Sequence, residues 1–198
     1  MRLSFADAGL ATLDLLLGEF DALCLFIFED ERPLRGAAGY VDWRLCGALS
    51  RVLQDGRFTG QHGDALLFPT LGRLAPPRIF CFGAGPRSAF TAASFATVVR
   101  KAGEAMSLAG SKAFATEVPA LGSDDVERAR EFLTHGATPF KGQRILLLGQ
   151  GKALAKAFAA AGGSMKGLEL DKDPLSTGSA SPLPPPTRPT GPKTARSA

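Results

Sequence analysis

The apolar residues of this chain fall into short, dense runs whose spacing changes along its length. "RLSF" (2–5) alternates partly with period two, and "LDLLL" (13–17) is a second short apolar run, so both are expected to be strands. "ALCLFIFED" (22–30) is longer, rich in Phe, Ile and Leu, and closes on acids. Such a run suits a strand buried on both faces, in a sheet covered by helices. From Val41 the period lengthens: Val41, Leu45, Leu49, Val52 and Leu53 share one helical face, while Arg44, Arg51 and Gln54 lie off it. "DGRFTGQHGD" (55–64) ends that helix in glycine turns, and "ALLFP" (65–69) and "RIFCF" (78–82) are the next two strands, joined by "TLGRLAPP".

Residues 90–109 carry Phe90, Ala93, Val98, Ala102, Ala105 and Ala109 at roughly helical spacing, and "KAFATEV" (112–118) alternates like a strand. "SDDVERAREFL" (123–133) opens on a capping signature, with Asp124 placed to accept from first-turn amides and Glu127 to reach back. "QRILLLG" (143–149) is the most apolar strand, and "KALAKAFAAAGG" (152–163) is an Ala-rich helix stopped by paired glycines. Strands lead, then strand and helix alternate, which predicts an α/β sandwich with a mixed sheet, parallel in its later part. Beyond about Leu168 the pattern stops, and the remainder is Pro, Ser, Thr and Gly without an aromatic residue. It cannot bury enough apolar surface to offset its ordering entropy. The expected organisation is one domain over 1–165 and a disordered tail over 166–198, within which "PLPPPTRP" is a candidate polyproline II segment.

Composition narrows this picture little. The 198 residues are 45% hydrophobic and 21% charged, which suits a globular core. A net charge of +4 comes from basic residues scattered along the chain, and no basic stripe interleaved with aromatics argues for nucleic acid. Cys24, Cys46 and Cys81 lie in apolar runs without CxxC spacing, so reduced thiols and a cytoplasmic location are expected. The N-terminus lacks the pattern of a signal peptide, and no stretch reaches the roughly 18 apolar residues that span a bilayer.

The candidate chemistry lies in two strand-GxG-helix junctions, "RIFCFGAGPRSAF" (78–90) and "RILLLGQGKALAKAF" (144–158). Glycine lets a backbone approach a phosphate closely, and first-turn amides of a helix point at an anion. Both junctions miss the full dinucleotide fingerprint, because Ser88 and Leu154 stand where a third glycine would fall, and Pro86 removes one amide donor. Lys152 follows the second turn, but the P-loop spacing is absent. The residues therefore leave two readings open, anion binding and tight corners of a sheet.

Other constellations carry less. His62 and His135 stand alone without ligand-type neighbours at metal spacing, so no metal site is expected. The acids at 29–31 and 124–125 read as element ends, and Cys81 as packing. Ser88, Ser94 and Ser107 form no G-x-S-x-G elbow. No catalytic residue emerges.

The stretch "LFIFEDERPLRGAAGYVDWRLCGALSRVLQDGRFTGQHGDALLFPTLGRLAPPRIFCFGAGP" (25–86) resembles the N-terminal domain of the leucyl aminopeptidase family. There an acidic strand end precedes an Asp-containing helix like "VDWRL", then a Gly-rich segment, two strands and a GxG turn before a long helix. The likeness extends over roughly residues 1–162. It implies a three-layer, macro-domain-like α/β fold. In the full enzymes that domain packs on a separate catalytic domain, which holds the two metal ions and their ligands, and helps organise a hexamer.

The Asn-Thr-Asp-Ala-Glu-Gly-Arg run that marks the catalytic domain is absent here, so the resemblance carries over no catalytic residue and implies no cofactor. It implies a stand-alone, non-catalytic relative acting in assembly, regulation or scaffolding, through a protein partner or self-association. Macro domains themselves bind ADP-ribose with glycine turns around the diphosphate and an acid near the adenine. By that likeness the candidate ligand-binding residues are Gly83, Gly85, Arg87, Ser88, Gly149, Gly151 and Lys152, with Asp30 as the acid. Nucleotide or ADP-ribose binding is thus the alternative function, and nucleic-acid binding a further one.

Overall fold

The structure is a computed structural model that describes residues 1–16, 19–119, 125–136, 138–160 and 169–170. Seven strands form one sheet: β1 (Arg2–Asp7), β2 (Ala22–Phe28), β3 (Ala65–Pro69), β4 (Arg78–Gly85), β5 (Ala113–Glu117), β6 (Arg144–Gly149) and β7 (Glu169–Leu170). Their spatial order is β3-β4-β2-β5-β6-β1-β7. Every neighbouring pair is parallel except β3 with β4, so the sheet is mixed, as the alternation of strand and helix predicts. The pairing of Glu169 and Leu170 with Arg2 and Leu3 carries the sheet past the expected domain boundary at 165.

Two apolar layers flank the sheet. Leu23, Leu25 and Ile27 of β2 point to one face and Ala22, Cys24 and Phe26 to the other, the period-two alternation of a strand covered on both sides. The first face packs on α1 (Leu10–Asp14), α2 (Gly36–Arg44) and α3 (Ala48–Gln54) through Leu13, Val41 and Leu49. The second packs on α4 (Ala92–Leu108), α5 (Asp125–Gly136) and α6 (Gly151–Ala160) through Phe95, Phe132 and Phe158. Phe26 meets Phe95 and Phe132 edge-on at centroid distances of 6.4 and 6.3 Å. The result is the three-layer α/β sandwich expected for a macro-domain-like chain.

Three elements depart from the sequence reading. "LDLLL" is no strand where it is described: Leu13 and Asp14 close a helix, Leu15 and Leu16 follow in a turn with Leu13 and Leu16 buried, and Leu17 lies outside the described residues. Leucine is a strong helix former, and hydrophobicity alone does not separate a short buried helix from a strand. The helix expected from Val41 starts at Gly36 and breaks into α2 and α3, because Cys46 and Gly47 adopt φ of 55° and 76°. The Asp42 carboxylate then caps α3, accepting from the Leu49 and Ser50 amides at 2.9 and 3.1 Å. The first GxG is no strand-to-helix turn: Gly83, Ala84 and Gly85 are the last residues of β4, and the chain turns only at Pro86 to Phe90. The Asp124 cap and the paired glycines at 162–163 lie outside the described residues.

Candidate functional site

After β2 the chain moves to one side of the sheet, to β3 and β4, and after β5 to the other, to β6. The carboxyl ends of β2 and β5 therefore bound a crevice of the kind where open α/β sheets hold ligands. A cavity of about 160 Å³ opens there, walled by Phe28, Glu31, Gly36, Ala37, Glu117 and Val118. Ligand sites commonly measure about 300–1,000 Å³, so this central space is small. It continues at one end into an open, arginine-rich hollow bounded by Asp30, Glu31, Arg32, Arg35 and Arg87. Past Glu117 and Arg128 it reaches a narrow recess beside Gly149 and Leu154.

Three parallel strands end in acids, and each acid turns onto the start of a helix or helical turn. Asp7, closing β1, accepts from the Gly151 amide at the start of α6 at 2.9 Å. Asp30, just beyond β2, accepts from the Arg87 amide at 3.0 and 3.2 Å. Glu117, closing β5, accepts from the Ala37 amide at the start of α2. A helix start has unpaired N–H groups and the positive end of the peptide dipoles, so a carboxylate is well placed at each of these points. The amides that would face an anionic ligand are already paired with anions of the chain itself.

Burial pushes the Glu117 carboxyl above the usual glutamate range; the Ala37 amide and Arg128 oppose this, and nearby Glu31 adds to it. Glu31 in turn accepts from the Arg87 guanidinium at 3.0 Å, and that guanidinium lies 4.2 Å from the centroid of the Phe28 ring. Arg87 is thus held by a carboxylate, a ring and its own amide.

The candidate residues from the sequence separate in space. Arg87 and Asp30 sit together at one end of the crevice and Gly149 at the other. Asp30 bonds the Arg87 amide rather than standing free for a base. The Gly83 and Gly85 amides donate to the Asp64 and Gly60 carbonyls at 3.0 and 2.9 Å. A Cβ on Gly83 would overlap the Gln61 carbonyl, and one on Gly151 would lie 2.6 Å from the Ala6 backbone. Close approach of backbone to backbone is what these two glycines allow. Ser88 and Lys152 are exposed, and they, with Gly83, Gly85 and Gly151, line none of the three connected spaces. Glu31, taken from the sequence only as an element end, lines the crevice; so do Arg35, Glu117 and Arg128, which the sequence reading did not single out, and Asp7 acts beside it. The signal that could have found the acids is their recurrence at the ends of "RLSFAD", "LCLFIFED" and "AFATE".

Among the described residues, no three His, Cys, Asp or Glu side chains stand close enough to hold a metal ion. No described helix is long and apolar enough to cross a membrane.

Comparison with known proteins gives the class. The profile described as "Cytosol aminopeptidase family, N-terminal domain" matches residues 24–139, and the chain belongs to that family. It is 32% identical over 91 residues to a probable cytosol aminopeptidase of Burkholderia multivorans, covering 46% of this chain and 18% of that protein. It is 33% identical over 98 residues to that of Ralstonia nicotianae, covering 50% and 19%. The chain thus spans about a fifth of the length of the curated relatives it matches.

Among solved structures, a tomato leucine aminopeptidase mutant superposes with a TM-score of 0.58 at 16% identity, covering 81% of this chain and 35% of that one. The macrodomain of Thermus aquaticus DarG superposes with a TM-score of 0.56 at 13% identity, covering 75% and 99%. At such identities the likeness is one of fold, and the fold is macrodomain-like, as the family resemblance implies.

Proposed function

We propose that this domain is a non-catalytic relative of the aminopeptidase N-terminal domain, working in the cytoplasm through protein contact, in assembly, regulation or scaffolding. One observation carries the reading: Asp30 and Glu117 bond helix-start amides in the crevice, and Asp7 does the same beside it, so amides that would receive a ligand's phosphates already hold carboxylates of the chain. Displacing a bonded carboxylate with a phosphate means breaking a charge-assisted hydrogen bond and leaving a charge to be rehoused. The match to the family's N-terminal domain, over residues 24–139, supports the non-catalytic part.

The test uses the full chain. Light scattering on a sizing column, alone and mixed with a cytosol aminopeptidase, is expected to give an oligomer or a complex. Leucine p-nitroanilide with manganese or zinc is expected to release no leucine. A strict monomer that ignores the enzyme would overturn the contact role, and released leucine the non-catalytic one.

A second reading has its own observation. Arg35, Arg87 and Arg128 all line the crevice at the switch between β2 and β5, and guanidinium groups suit phosphates. Calorimetric titration with ADP-ribose, NAD and ATP decides it, and heat that saturates would favour nucleotide binding over the leading reading.

A further inference from the structure

A second feature of the surface lies farther along α2, separated from the crevice by Leu34, which lines both. Leu15, Tyr40, Trp43, Leu67, Leu71 and Leu108 are the large apolar side chains in solvent among the described residues, and three of the six belong to the α1–α2 corner. Trp43 is 65% exposed, an unusual position for the residue type that dominates buried contacts. It walls an open groove of about 640 Å³ together with Pro33, Leu34, Arg44 and Cys46. Arg44 is anchored to Asp14 of α1, and its guanidinium lies 5.5 Å from the Trp43 ring centroid. The ring is therefore propped in place and presents a flat apolar face beside a proline and a leucine.

We propose that this groove is the docking site of the chain's own proline-rich segment, Pro182 to Pro189. The segment reads Pro-Leu-Pro-Pro-Pro-Thr-Arg-Pro. Proline-rich sequences favour the polyproline II conformation before binding, and they dock on aromatic-lined grooves with little ordering entropy to lose. Two observations select this segment rather than an outside ligand. The described chain ends with β7 running parallel to β1, with Leu170 beside Leu3. That is the direction in which β1 delivers the chain to α1, whose Asp14 holds Arg44 at the groove.

Length also allows it. Residues 171–181 connect Leu170 to Pro182, and eleven residues reach at most about 40 Å. β1, the six-residue strand beside which the route begins, spans about 20 Å. A ligand tethered by so short a linker acts at an effective concentration on the order of millimolar, so a weak contact suffices. The segment then covers Trp43. This contact does not depend on whether the crevice takes a ligand.

Trp43 is the only tryptophan in the chain, so its fluorescence reports on the groove alone. The comparison is between the full chain and a full-length variant carrying Pro182→Ser, Pro184→Ser, Pro185→Ser and Pro186→Ser, which leaves every described residue unchanged. The native chain is expected to emit at shorter wavelength and to resist acrylamide quenching severalfold better than the variant. The protection should be unchanged on dilution. A synthetic peptide of residues 181–190, added to the variant, should restore the blue shift, and a scrambled peptide should not. Equal emission and quenching in the two proteins would overturn the proposal. Protection that disappears on dilution would also overturn it, by assigning the groove to a segment of a second copy.

Discussion

Glu117 offers a test of whether the crevice is built around its own carboxylates. Its side chain accepts from the Ala37 amide, and Ala37 is only 2% exposed, so the amide meets water only through the crevice that both residues wall. Glu117→Ala orphans that donor, whereas Glu117→Gln leaves an amide oxygen in its place. An unsatisfied buried donor costs about 1–3 kcal/mol, and water entering the crevice recovers part of it, so alanine should lie below glutamine in stability by up to that amount. Charge adds a pH dependence. Because burial raises the Glu117 value in the native state, the folded protein holds this proton more tightly than the unfolded chain does. Between the ordinary glutamate value, about 4.3, and the raised native one, the native protein's stability therefore falls as pH rises.

Glutamine does not titrate. It should match the native protein near pH 4 and equal or exceed it near pH 7. Urea denaturation followed by circular dichroism at several pH values, with the slope of the transition checked for constancy, makes the measurement. A glutamine variant as unstable as the alanine variant at neutral pH would refute the reasoning, because it would mean that the ionised carboxylate itself, and not merely an acceptor, holds the start of α2.

Two further outcomes follow from the described contacts. With the groove uncovered, as in the variant carrying serine at 182, 184, 185 and 186, the folded protein should react with Ellman's reagent at one thiol, Cys46, because Cys24 and Cys81 are buried, burial pushing Cys81 up to about 12 and Cys24 higher still; all three should react in urea. A second fast thiol in the folded protein would count against the packing of β2 on β4. Asp42→Ala removes the acceptor for the Leu49 and Ser50 amides and should cost about 0.5–2 kcal/mol in urea denaturation, with Asp42→Asn recovering most of it; an unchanged midpoint for alanine would deny Asp42 its capping role.

Much of the sheet is legible from local pattern. The runs around Leu25, Phe80 and Leu147 are apolar on both faces, and such runs have few stable settings other than a strand between two helical layers. The family likeness over residues 25–86 is legible too, since it lies in the order of elements. The short helix at Leu10–Asp14 is not legible, because five residues with apolar positions only at Leu10, Ala11 and Leu13 satisfy strand and helix alike until something packs against them.

The site divides the same way. That "RLSFAD", "LCLFIFED" and "AFATE" end in acids is written in the chain; which amide each acid meets is not. Asp7 meets Gly151 across 144 residues and Glu117 meets Ala37 across 80, contacts that exist only once β6 lies beside β1 and α2 crosses the end of β5. Likewise the glycines of GxG look alike in sequence, while only the folded sheet brings Gln61 against Gly83 and Ala6 against Gly151. Hydrophobic period and turn chemistry act over a few residues and so can be read along the chain. The pairing of a carboxylate with a distant helix start is decided by sheet order, which no local spacing contains.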